Sequence, residues 1–216
     1  MIYLYAIAEG LTDLPVVGGI DGVPAERHVC EGIDAIVSEH GAPVDPTEDA
    51  VLAHAHVVEA LVPLATALLP ARFGLGFDDV SALEKVLRER AADLRVSLDR
   101  VRGQVELGLR VVGEQRDEAP AVSNGRAYLE ARRAQVTAAD RLAVELHEAL
   151  AARASAATRK GQLGGRLVLS GAYLVDPGSV RAFREAVDEL ESEHSALTFA
   201  LTGPWPPYSF AGVDET

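Results

Sequence analysis

Residues 101–111 read VRGQVELGLRV, and the change of pattern inside this stretch decides the fold. Up to Val101, the apolar residues Leu83, Leu87, Ala91, Leu94, Leu98 and Val101 recur at helical spacing. They form one stripe down a helix that Ser81-x-x-Glu84 opens as a capping box and Gly103 closes. From Val105 the period becomes two. Val105, Leu107, Leu109 and Val111 alternate with Glu106, Gly108 and Arg110, as a half-buried strand requires. This change of pattern places a domain boundary at Gly103, dividing the 216 residues into 1–102 and 103–216. Either part is long enough to bury a core of its own.

Working back from Gly103, Leu68–Phe77 (LLPARFGLGF) reads as a strand loosened by Gly74 and Gly76. Asp45-Pro46-Thr47-Glu48 opens a helix with the aspartate as cap, and Val51, Ala55, Val58, Val62 and Ala65 supply its apolar stripe until Pro63 stops it. Arg27–Cys30 and Ile33–Ser38 are strands joined by a Glu31-Gly32 turn, and the apolar Met1–Ala8 is a central strand. Working forward, Asn124 to about Thr158 contains no proline and reads as one long helix, with Ala139, Leu142, Leu146 and Leu150 as its apolar stripe. The strand Arg166–Val175, a helix from Asp176-Pro177 carrying Val180, Phe183, Val187 and Leu190, and the strand Ala196–Thr202 complete the chain. The order is β-β-β-α-β-α, then β-α-β-α-β. Both halves mix strands and helices, which predicts an α+β fold in two domains. The second half resembles a ferredoxin-like split βαβ short of one strand.

Charge narrows the function. The chain carries −13, and residues 1–71 hold eleven carboxylates against one base, Arg27. The remainder is nearly balanced. A polyanion without a basic stripe repels phosphate backbones and anionic lipid, so neither nucleic acid nor a membrane surface is an expected partner. Cys30 is alone, which excludes an internal disulfide and zinc sites built on several cysteines. The opening MIYLYAIAEG lacks a basic region, and the uncharged Ser195–Val213 is broken by glycines and prolines, so the expectation is a cytoplasmic protein.

Residue patterns that carry chemistry are few. His28-x-Cys30 puts two ligands on one strand face without a third nearby, and His54 and His56 face apart on a helix. No metal site is expected. There is no G-x-S-x-G elbow, and Gly161–Gly165 lies between a helix and a strand, the wrong order for cradling phosphate. No catalytic residue and no cofactor are assigned. Two segments stand out. Arg72 sits beside Phe73 in the apolar run from Leu69 to Phe77, where it either organises a site or makes an intradomain salt bridge. Thr202–Phe210 (TGPWPPYSF) holds Trp205, Tyr208 and Phe210 on a proline-stiffened backbone; the rings either cover a sheet edge or present a contact surface.

IYLYAI, LPARFGLGF, VELGLRVV, GRAYLEARR and above all the ending TGPWPPYSF resemble, in order, the gas vesicle protein F/L family. Where family members usually read RFGT followed by an apolar residue, this chain has Arg72-Phe73-Gly74-Leu75. The resemblance implies a non-enzymatic accessory protein of gas vesicle formation, either assisting early assembly or remaining as a minor vesicle component, with an α+β amino-terminal domain and a modified ferredoxin-like carboxy-terminal domain. It further implies contact with the small hydrophobic shell protein, and with other accessory proteins, at the gas vesicle. A soluble, charged partner that covers an apolar subunit would keep it from aggregating. The acidic amino-terminal domain is the expected contact. Leu69, Arg72, Phe73, Phe77, Trp205, Tyr208 and Phe210 are the candidate partner-binding residues. The competing expectation is an enzyme or small-molecule sensor on a ferredoxin-like scaffold, with a pocket near Arg72.

Overall fold

Seven consecutive buried residues, Ile2–Ala8, need neighbours on both sides and both faces, and the computed structural model supplies them. It describes residues 1–14, 17–113, 125–160 and 166–212, without side chains at 125, 127–132 and 134–136. β1 (Ile2–Glu9) pairs antiparallel with β3 (Ile33–Glu39) on one side, and β2 (Glu26–Cys30) continues the sheet beyond β3. Glu31 and Gly32 join β2 to β3 with φ of 54° and 73°, the left-handed pair that a two-residue hairpin favours. On its other side β1 meets β4 (Ala67–Pro70) and β5 (Gly76–Phe77). The single strand expected over Leu68–Phe77 is therefore interrupted. Ala71 N donates to Tyr5 O and Leu4 N donates to Leu75 O, each at 2.9 Å, so residues 72–74 loop out of an otherwise continuous ladder. Gly74, at φ 90°, closes that excursion.

α1 (Glu48–Leu61) covers one face of this sheet. Its cap is Thr47, whose hydroxyl accepts from Ala50 N at 3.2 Å, and not Asp45. The buried face is Ala50, His54, Val57, Val58 and Leu61, which shares only Val58 with the expected stripe. α2 (Val80–Glu89) and α3 (Ala91–Val101) cover the opposite face. The expected single helix breaks at Arg90, and the cap is Asp79, accepting from Ala82 N at 2.8 Å, in place of Ser81. All six stripe residues are nevertheless buried. Each fully buried leucine among them contributes about 1.5–3 kcal/mol through the water it sheds.

The second sheet has the order β7-β8-β6-β9. Its strands are β6 (Val105–Gly113), β7 (Ala156–Arg159), β8 (Leu167–Val175) and β9 (Leu197–Trp205). α4 (Gly125–Ala151) joins β6 to β7, and α5 (Val180–Glu193) joins β8 to β9. β7 is the strand the sequence reading lacked. Helix propensity continues past Ala151, but Ser155 N donates to Leu174 O at 2.9 Å and Ala156 pairs with Leu174, so sheet pairing overrides it. The order becomes β-α-β-β-α-β. Asn124, where the long helix was expected to start, and the loop Gly161–Gly165 lie outside the described residues. The chain divides into two compact units, Met1–Val105 together with the segment from Trp205, and Glu106–Pro204. A division at 102/103 keeps the whole ending with the second half; these units place its last residues with the first. Among the described residues, no helix is long and apolar enough to cross a membrane.

Candidate functional site

In the first unit, the excursion at 72–74 is anchored from beneath by a chain of hydrogen bonds. His54 is 3% exposed, with Nε2 3.1 Å from Ala71 O, an acceptor, so this nitrogen carries the proton. Nδ1 then accepts from the Tyr3 hydroxyl at 2.9 Å, and Tyr3 Oη accepts from Gly74 N at 3.2 Å. Burial holds His54 below the usual histidine pKa, despite the Ala71 bond that opposes the shift, and pushes Tyr3 up to about 12. The His54 ring stacks on Tyr5 at 5.6 Å, and Phe73 packs edge-on to Tyr3 and His54, both at 5.9 Å. Tyr5 Oη accepts from Ile20 N at 3.1 Å and from Ser38 Oγ at 3.0 Å. Both shifts favour the neutral forms of His54 and Tyr3. The cluster fixes a loop through two side chains, Tyr3 and His54, that are themselves buried.

Phe73 and Tyr208, one from each of the two segments singled out in the sequence, meet in this unit. The short turn Tyr208–Phe210 packs on β4, the end strand of its sheet path. Tyr208 joins the apolar cluster that holds Tyr3, Val58 and Phe73, and burial, with Glu59 and Tyr3 nearby, lifts its pKa to about 12. Phe210 is 6% exposed with the Arg100 guanidinium 5.2 Å from its ring centre, and Arg90 Nη2 donates to Gly212 O at 2.7 Å. The ending thus packs against β4 and against Arg90 and Arg100.

Of the candidate contact residues, Leu69 and Phe210 are buried and have no surface to offer. Phe73 and Tyr208 are half-buried in the aromatic cluster. Phe77 is half-buried in an apolar crevice between β1 and α2, lined by Leu4, Ile7, Leu75, Leu83 and Leu87. Arg72 and Trp205 remain exposed, Arg72 on the excursion and not within a strand. It does not line the crevice. Among the described residues, no group of three His, Cys, Asp or Glu is placed to hold a metal ion. His28 Nε2 instead lies 3.1 Å from Glu84 Oε1.

Of the eleven carboxylates in residues 1–71, all but Glu9 and Asp34 are exposed. The one base, Arg27, is spent on buried Asp34, Nε to Oδ1 at 2.8 Å. The surplus therefore faces water. Sequence reasoning missed Tyr3 and His54 as a pair, although His54 occupies a buried position in the Ala50, Val57, Val58, Leu61 pattern. The second unit repeats the device. His147 Nδ1 lies 3.0 Å from the hydroxyl of buried Tyr173; burial, aided by Arg159, lowers the histidine pKa, and burial raises the tyrosine pKa.

A family model described as gas vesicle synthesis protein GvpL/GvpF matches residues 1–212. The chain is 32% identical over 218 residues to gas vesicle protein F2 of Halobacterium salinarum, spanning 98% of this chain and 92% of that one. It is 35% identical over 195 residues to gas vesicle protein L of Streptomyces sp. strain CB03234, covering 80% and 72%. Two crystal structures share the fold. The gas vesicle protein GvpF from Microcystis aeruginosa superposes with a TM-score of 0.82 at 20% identity, over 98% of this chain and 99% of that one. GvpF from Anabaena sp. PCC7120 gives 0.80 at 17% identity, over 98% and 96%.

Proposed function

The chain belongs to the gas vesicle GvpL/GvpF family, and from that premise we propose that it is a non-enzymatic assembly protein whose first unit binds the small hydrophobic shell protein. The observation that carries this reading is the concentration of exposed carboxylates on the first unit, with its one base from the first 71 residues committed to Asp34. A subunit that ends with one face against gas exposes apolar surface before assembly, and such surface aggregates. Covering it with a partner of high negative charge keeps the complex in solution, because complexes carrying like charge repel. The exposed Arg72 and Trp205 belong to the same unit. A neutral, satisfied hydrogen-bond cluster beneath the excursion supports a scaffold in preference to a catalyst.

The test is co-expression of the full chain with the shell protein, followed by affinity capture at low and high salt. The first unit needs Tyr208 and Phe210, so a fragment ending at 102 would lose part of its own core. The expected result is shell protein in the soluble fraction, captured with the chain and released as salt rises. Shell protein that stays insoluble and uncaptured at low salt overturns the reading. Persistence of the chain in washed, intact vesicles would mark it as a retained component; its absence there would mark it as an assembly factor alone.

A further inference from the structure

α1 is apolar around more of its circumference than its sheet covers. Val51 and Leu52 remain 42% and 48% exposed, and Val62, just past the helix end, 36%. Of the seven exposed large hydrophobics among the described residues, these three stand together, while Val29, Val80, Val96 and Trp205 lie on four different elements. At about 100° per residue, Val51, Ala55 and Val62 fall along one line of the helix, with Leu52 to one side. Glu48 and Glu59 fall between that line and Leu52, and Asp49 lies beyond; all three are exposed. Residues 48–64 contain no lysine or arginine. Isolated surface valines need no explanation, but an apolar line edged by carboxylates, on an element without lysine or arginine, does.

The chemistry of the face selects its occupant. A helix has no unpaired backbone along its side, so an extended strand gains nothing there, and the element that packs along it is another helix. A second copy of this chain would bring −13 against −13, with like charges facing each other. A helix with an apolar stripe flanked by lysine or arginine satisfies both features. Its alkyl stems would extend over the valines while its charged ends meet Glu48, Asp49 and Glu59. We propose that the outer face of α1 is the docking surface for such a basic-flanked amphipathic helix of the shell protein. This rests on the contact proposed above and names where it is made.

The experiment uses the full chain co-expressed with the shell protein, measuring captured shell protein per chain at low and high salt. Val51→Ser with Leu52→Ser should lower capture about tenfold, since a few central contacts carry most of such an interface. Glu48→Gln with Glu59→Gln should lower it about two- to fivefold at low salt and flatten its salt dependence. Val29→Ser and Val96→Ser, exposed on β2 and α3, should leave capture unchanged. Circular dichroism melting confirms that each variant is folded. Wild-type capture by the Val51/Leu52 variant, or equal losses in the Val29 and Val96 controls, overturns the α1 assignment and leaves shell binding standing. No capture by the wild-type chain overturns both.

Discussion

Replacing His54 with leucine tests the hydrogen-bond chain beneath the excursion at 72–74. Leucine fills most of the imidazole volume, so the main effect is polar. The Tyr3 hydroxyl loses its acceptor and the Ala71 carbonyl its donor, at sites where Tyr3, His54 and Ala71 are 0%, 3% and 0% exposed. Each orphaned group costs about 1–3 kcal/mol, and apolar burial of leucine offsets part, leaving a loss of about 2–4 kcal/mol near neutral pH. The pH dependence has a definite sign. The folded pKa of His54 lies below its ordinary 6.5, so above 6.5 both folded and unfolded chains hold it neutral. As pH falls below 6.5, the unfolded chain takes up a proton that the folded chain refuses. Wild-type stability then drops by up to about 1.4 kcal/mol per pH unit until the folded pKa is reached. The leucine variant lacks this titration. His147 shares the direction of shift but is present in both proteins and cancels in their difference. Urea denaturation at several values between about pH 5.5 and 7.5 should show the largest gap at the upper end, narrowing on acidification. Parallel curves across that range would refute the neutral, doubly bonded His54.

Gly171 faces Tyr173, and a Cβ there would stand 2.8 Å from the tyrosine oxygen, so Gly171→Ala should cost about 1–3 kcal/mol in thermal melting. Gly41→Ala, with nothing within 4 Å, is the neutral control. Phe210→Ala should destabilise by about 3–5 kcal/mol in urea, whereas Trp205→Ala, at 47% exposure, should cost under about 1 kcal/mol. Tyr3 and Tyr208, both raised to about 12, should stay protonated where tyrosines of the unfolded chain already ionise, near pH 10. Near-ultraviolet phenolate absorbance on alkaline titration measures this, and full ionisation of the folded chain near pH 10 would contradict it.

Elements whose pattern had one solution were legible in the sequence. The stripe from Leu83 to Val101 fits a single helical face, and every member is buried, although the helix breaks at Arg90. α1 admitted two solutions because valine, leucine and alanine occur on most sides of it. The face that won contains His54, which a hydropathy pattern counts against burial, yet its two partners satisfy both ring nitrogens. The interruption of the β4–β5 ladder was hidden because the ladder resumes at Leu75 in step with β1. β7 carried no signal at all; alanine and arginine favour helix there, and only pairing with β8 makes it a strand. The ending was read as either packing or presentation, and its residues divide between the two: Phe210 is buried and Trp205 exposed.

The position of Tyr208 and Phe210 also sets a timetable. They complete the first unit, yet the ribosome makes them only after every residue of the second. At roughly 5–20 residues per second, about a hundred intervening residues leave β4 and the Arg100 side of α3 without this packing for roughly 5–20 s of each synthesis. During that interval the nascent first unit is an unfinished core, open to whatever chaperone or strand reaches it first. Moving the ending to the other side of residue 105 by circular permutation would close that window.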